Sequence, residues 1–343
     1  MGAFTGLAPV GFPNVALANY MKEFRNNALV GEMIAPRVPV DRQSFPYVIF
    51  DRSNQRLDQT TLRAPGARPQ EIRMTYSTAN YFCHDHALDA SIPWEAEIYG
   101  LGLGFSTKQK SIARIIDKLL LDREVTIANL VTSSSNITNY KDLGTGGDPP
   151  YPWDDYATGH SHPIVDVDNA KEVIRQSGVA PNFFIISDPT YVALRNHPDI
   201  IDRYKYKVGG PVGLNELSEV FGLPTTIAGA VVLDKSNVGS WVWGANALLG
   251  YTQATPDVQD VSCLKTFVWT AAPAGKGPDG TQYMSTDGYS VIEWPDAHLS
   301  TKKDWGSGSW YYDIRVTAAE TAFLFQRTCT PAAFGAIAAP TGE

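Results

Sequence analysis

The residues that come nearest to a reactive or metal-binding set are Cys83, His84, Asp85 and His86. On an extended strand alternate side chains share a face, so His84 and His86 point the same way, and paired imidazoles bind zinc. His160 and His162 offer a second pair, but they sit in a Gly/Pro-rich stretch with nothing to bring them to the first. No CxxC or HExxH spacing occurs anywhere in the chain. The four residues therefore read as surface or packing groups, and no metal ligand is assigned.

Other patterns fail in the same way. Asp166, Asp168 and Asn169 begin like a calcium loop, but Ala170 stands at the fifth position and Lys171 where the turn glycine belongs. Gly100, Gly102 and Gly104 lack both the GxGxxG spacing and a terminal GK[ST], so they read as a flexible entry to the following helix. There is no GxSxG elbow, and six histidines dispersed among many aspartates nominate no triad. Eight tryptophans and sixteen tyrosines raise a carbohydrate-stacking reading, above all at Trp305, Trp310, Tyr311 and Tyr312. Aromatics between strands more often anchor cores and interfaces. No catalytic residue, cofactor-binding residue or cofactor is assigned, and the chain is expected not to be an enzyme.

The elements explain why chemistry is scarce. Residues 106–131 form an unbroken amphipathic pattern in which Ile112, Ile115, Ile116, Leu119, Leu120, Ile127, Leu130 and Val131 recur at helical spacing. Lys110, Arg114, Lys118, Asp122 and Arg123 fall largely off that stripe and are expected to be wet. At 1.5 Å per residue such a helix spans roughly 39 Å, a beam across a domain. Upstream, Phe45, Tyr47 and Ile49, then Ile72, Met74 and Tyr76, alternate with their neighbours and predict two strands of one long hairpin with a polar tip at 51–69. A lone two-stranded ribbon is unstable in water, so it must lie on the rest of the chain or on another copy. Seven arginines against four acids and no lysine between Arg37 and Arg73 suggest guanidinium forks for neighbouring carboxylates.

Downstream, 139–163 reads as a loop, and an alternating α/β unit follows. Asp168 is expected to cap a helix ending before Gly178, 182–187 to be a buried strand, 188–196 a helix, and 214–221 a helix closed by Gly222. Strands are expected at 225–233, 240–252, 264–271, 289–294, 311–317 and 321–327. The class is α+β.

The chain has 343 residues, 43% of them hydrophobic, enough for a sizeable core, and a net charge of −8. That balance argues against sequence-specific DNA binding without excluding the enclosure of DNA. Three widely spaced cysteines argue against a disulfide framework. The N-terminal residues carry no basic start with an apolar core, so a cytoplasmic product is expected, with no membrane partner.

The runs IDKLLLDREVTIANLV (116–131) and APRVPVDRQSFPYVIFD (35–51), with FFIISDPTYVALRNHPDIID (183–202) and WYYDIRVTAAETAFLFQR (310–327), resemble in sequence and order the major capsid protein of tailed bacteriophages. The resemblance implies the Hong Kong 97-like fold: an N-terminal arm (1–35), an extended hairpin loop with flanking strands (36–94), a peripheral domain with a spine helix (95–138), an axial domain (139–256), and returning peripheral strands with a C-terminal tail (257–343). It further implies a structural protein of the virion, assembled in the bacterial host cytoplasm into hexamers and pentamers of an icosahedral shell around double-stranded DNA. Expected partners are other copies of the chain, a portal protein, a separate scaffolding protein, a decoration protein, and DNA in non-specific proximity. The absence of lysine from the hairpin argues against the Lys–Asn crosslinks of some relatives. The alternatives are a decoration or carbohydrate-binding module, and a metal-dependent enzyme using His84 and His86.

Overall fold

The computed structural model describes residues 12–13, 29–50, 61–69, 71, 76–102, 106–144, 151–157, 159–205, 212–233, 239–258, 260–276, 282–296 and 301–330. The modest helical stretch that the sequence predicts over 15–25, most of the arm, residues 51–60 and 72–75 of the hairpin with Ile72 and Met74, and the tail after residue 330 lie outside them. In chain order the strands are β1 (Phe12–Pro13), β2 (Arg37–Val40), β3 (Ser44–Phe50), β4 (Tyr76–Phe82), β5 (His84–Pro93), β6 (Tyr140–Asp142), β7 (Phe183–Ser187), β8 (Thr225–Ala228), β9 (Val231–Leu233), β10 (Gly239–Trp241), β11 (Ala247–Gly250), β12 (Leu264–Trp269), β13 (Pro273–Lys276), β14 (Gln282–Met284), β15 (Tyr289–Pro295), β16 (Lys303–Val316) and β17 (Ala322–Gln326).

The long helix runs over Thr107–Val131, capped by Ser106, whose Oγ accepts from Gln109 N at 3.4 Å. Its N-terminus gains a second anion: Glu97 accepts from Lys108 N at 3.0 Å and from Ser106 Oγ at 3.3 Å, where the helix dipole favours negative charge. Glu97 belongs to a nine-residue helix, Trp94–Gly102, so Gly100 and Gly102 are helical and not a loose entry. Glu95 and Glu97 stand in its first turn, where negative charge is favoured and offsets part of glycine's low propensity.

The first sheet is built on β16, which pairs β5 along one edge and β15 along the other, with β12 continuing from Leu264↔Val316. β2 lies parallel to β12, and β1 brings the arm onto β15. Sequence placed a strand only at 311–317, because Gly306-Ser307-Gly308-Ser309 has the composition of a turn. Ladders on both edges override that composition, and a small residue is useful there: a Cβ on Gly306 would already stand 3.8 Å from Ile112 of the long helix. Ile112, Ile115, Ile116, Leu119, Ile127 and Val131 are buried in one core with Trp310, Tyr312 and Ile314. Leu120 and Leu130 pack at its margin.

The second sheet has the order β6-β17-β11-β7-β8. The segment expected at 321–327 was assigned to the returning peripheral strands, yet β17 enters this second sheet, antiparallel to β11 and parallel to β6. Burial on both faces drives this placement. Phe183, Ile185, Leu248 and Leu324 point into the long-helix core, whereas Phe184, Ile186, Leu249 and Phe325 point into a separate core under the helices of residues 163–221. A strand covered on both sides reads as an unbroken apolar run, as NFFIIS does.

Those helices are Pro163–Arg175, Asp188–Arg195, Pro198–Tyr204 and Leu214–Phe221, the last closed by Gly222 at φ 60° as expected. Asp168 is not a cap. Pro163 opens its helix at the first turn, and Asp168 pairs with Lys171 at 2.9 Å within it. The expected strand at 225–233 breaks at Gly229 and Ala230 into β8 and β9, and that at 240–252 splits into β10 and β11.

Candidate functional site

Around the long helix two ionisable residues are buried that the sequence reading missed or misplaced. Arg123, expected to be wet, is 3% exposed. It occupies the helix position four after Leu119 and four before Ile127, so it continues the buried stripe and is not set off from it. Its guanidinium donates to Ala35 O at 2.8 Å and Thr266 Oγ1 at 3.0 Å, and lies 5.1 Å from the Trp310 ring centroid. Burial, and then the like charge of Arg37, pull its pKa down to about 10, still charged at neutral pH. Glu124 is 2% exposed and accepts from Gly31 N at 2.7 Å, Val30 N at 3.3 Å and Trp243 Nε1 at 2.7 Å. Desolvation nonetheless raises its pKa above the usual value.

The pair acts as a hub. One side chain fixes residue 35 to β12, and the other ties residues 30–31 and Trp243 to the same helix turn. Gly31 is required by this approach, because a Cβ there would stand 2.6 Å from Glu124 Oε2. The signal available in sequence was the interruption of the apolar stripe by charge between Leu120 and Ile127.

The hairpin is half supported. β3 and β4 pair from Ser44↔Phe82 to Phe50↔Tyr76. At its base Tyr81 stacks on Phe267 of β12 and Tyr47 packs against it at a tilt, with ring centroids 4.6 Å and 5.2 Å away. Phe45, opposite Tyr81 at the base, and Tyr76, at the outer end of the pairing, are exposed, and residues 61–69 are exposed throughout. Arg37 does not reach for a neighbour: it pairs with Glu32 at 2.7 Å in the same chain and lies over Tyr289 and Trp310. Arg42 lies over Phe45. Arg63 and Arg68 are exposed, and Arg52, Arg56 and Arg73 lie outside the described residues.

The reactive candidates are placed apart. Cys83 is buried, its thiol pushed up to about 12 by desolvation, so it is no nucleophile at neutral pH. His84 packs on Phe82, and His86 stacks on Tyr312 at 4.1 Å with Asp122 3.8 Å away. His160 pairs with Asp155 at 2.8 Å and His162 with Asp199 at 3.0 Å. Among the described residues no three His, Cys, Asp or Glu side chains converge as a metal ion would need. Asp166 instead accepts from Lys141 and from Trp153 Nε1.

Ser161 and His197 form a buried contact, Oγ to Nε2 at 2.9 Å, which resembles a catalytic dyad. The protons run the wrong way for one. His197 Nδ1 accepts from Asp199 N at 3.2 Å, so a neutral ring carries its hydrogen on Nε2 and donates it to Ser161. Ser161 in turn donates to Asp155 O at 2.6 Å. The arrangement braces the start of the helix Pro198–Tyr204 and activates nothing. Trp310 and Tyr312 are interior and build the core between β16 and the long helix, whereas Tyr311 packs edge-on against Trp269 beside the hairpin base and Trp305 donates to Asp296.

No protein-family model matches the chain. It is 26% identical over 245 residues to the major capsid protein of Pseudomonas phage JBD67, covering 69% of this chain and 76% of that protein. The crystal structure of a phage-related protein from Bordetella bronchiseptica RB50 superposes with a TM-score of 0.70 at 22% identity, over 95% of this chain and 99% of that one. The capsid structure of cyanophage P-SCSP1u superposes with a TM-score of 0.59 at 10% identity, over 95% and 92%.

Proposed function

We propose that this chain, which has the Hong Kong 97-like phage capsid fold, is the structural subunit of a phage head. The observation that carries the reading is the extent of the likeness: 95% of the chain superposes on a capsid subunit, so hairpin, long helix and both sheets are accounted for together. Similarity to a structural protein of this kind points to a non-enzyme.

The subunit would work through surfaces. The arm (1–35), hairpin loop (36–94), spine-helix segment (95–138), axial domain (139–256) and returning segment (257–343) are the parts we assign. The axial helices would gather round a capsomer axis in hexamers and pentamers, and closed symmetry would then limit growth. The hairpin beyond Tyr47 and Tyr81 would lie across a neighbouring copy. Portal, scaffolding and decoration proteins would complete the head, and DNA would be enclosed without tight grip, as suits a chain of net charge −8. Assembly would take place in the host cytoplasm.

Electron microscopy of the expressed chain, alone and with the products of adjacent genes, tests this. Shells, tubes or capsomers are expected. A small soluble oligomer at every concentration, binding only to preformed particles or to glycans, would overturn it in favour of a decoration or carbohydrate-binding module.

A further inference from the structure

β5 is an edge strand of ten residues that, among the described residues, pairs on one side only, with β16. Such an edge presents unpaired backbone donors and acceptors, a template for another strand. The long helix runs beside it in the opposite direction. Ile92 and Ile112 approach the same point above Gly306, and His86 lies 3.8 Å from Asp122, so one end of β5 meets the helix near its start and the other end a few turns later.

Between these anchors lies a groove of about 420 Å³, lined by residues 88–91 of β5 and by Lys110, Arg114 and Lys118 of the helix. Its lining carries three cations against one acid, Asp89, in a chain of net charge −8. Arg114 and Lys118 are exposed and make no ion pair among the described residues.

The spacings agree. Cations four apart on a helix repeat every roughly 6 Å, and alternate side chains of a strand repeat every roughly 6.8 Å. A strand added to β5 would therefore set every second side chain beside one member of the basic row. We infer that the β5 edge and the Lys110–Arg114–Lys118 row form a docking groove for an extended polypeptide segment with acids at alternate positions, supplied by a second protein and not by another copy of this chain.

These 343 residues hold no segment that fits. No segment has acids at three alternating positions, and the pairs Glu95/Glu97, Asp122/Glu124 and Asp166/Asp168 all lie in helices. The exposed stretch 61–69 carries Arg63 and Arg68 and no acid, so it would be repelled. Nucleic acid would satisfy the cations but leave the strand edge unpaired. The inference stands apart from the shell reading, because a free subunit presents the same edge.

Fluorescence anisotropy of a labelled peptide of alternating Glu and Thr, titrated with the full-length unassembled protein, tests it. Saturable binding is expected, weakened at least about tenfold by the double substitution Arg114→Glu and Lys118→Glu. It should be weakened similarly by N-methylation of alternate peptide amides, which removes strand pairing and keeps the charge. Both substituted side chains are exposed, so the double variant should melt at the wild-type temperature. No binding to wild type, binding indifferent to either change, or an oligothymidylate that binds as well as the peptide and competes with it would each overturn the proposal.

Discussion

Arg123 and Glu124 are adjacent in sequence, both buried, and differ in what their loss leaves behind. Glu124→Ala strands three donors, Val30 N, Gly31 N and Trp243 Nε1, in a dry interior. It should cost about 2–5 kcal/mol in urea unfolding of the unassembled subunit. Arg123→Met should cost less, about 1–2 kcal/mol, because Thr266 Oγ1 still donates to Ala35 O and the methionine fills much of the space over Trp310. The reverse ranking would show that the hub is organised round the guanidinium. Gly31→Ala should destabilise comparably to the glutamate change, since its Cβ would collide with Glu124 and Ile127. His86 carries a pH dependence whose sign follows from burial, which lowers its pKa below 6.5. The folded state favours neutral imidazole, so its contribution is fully present above pH 6.5 and is lost as pH falls through that value towards the lower folded pKa. Thermal melts from pH 8 to 5 should show a smaller acid loss for His86→Gln than for wild type. These side chains were visible in the sequence as residue types. Their burial was not, because a charge at a stripe position is read as an exception until the partners across the core are known.

At the scale of elements, the long helix was legible almost to the residue, since 3.6-residue periodicity over seven turns and a serine cap are local signals. β16 was legible only in its second half. Its first half is specified by partners up to more than 200 residues away, such as Ile92 opposite Asp304, and no local composition reports that. The first hairpin strand was legible as alternation, the alternating Ile72 and Met74 of the second lie outside the described residues, and the base proved to rest on the chain's own Phe267. That division sets the expected outcome of deleting 51–69: a subunit with wild-type melting behaviour, because Tyr47 and Tyr81 remain docked, that forms no closed shells in electron micrographs. Normal shells from the deletion would remove the hairpin from assembly.

For the molecule as a whole, the three cysteines make a native gauge. Cys83 lies at the hairpin base, Cys263 beside the first sheet and Cys329 beyond β17, all free and buried. Burial pushes the first two thiols up to about 12. A chromogenic disulfide reagent at pH 8 should find almost no reactive thiol in the native subunit and three after denaturation, and the order of labelling in partial denaturant should report which region opens first. Early reaction of Cys263 would contradict a core shared by the long helix and both sheets. The α+β class was legible because it rests on the succession of local helical and alternating patterns. The membership of β17 was not, because two strands with the same alternation can join either sheet. That membership also has a consequence in time. β17 sits between β6 and β11, so an interior strand of the second sheet is synthesised after every other described strand. Until residues 322–326 emerge, β6 has no strand partner among the described residues and two hydrophobic cores stand open along one seam. The second sheet is therefore completed late, and a nascent chain stopped even shortly before Ala322 would leave the ribosome with that seam exposed.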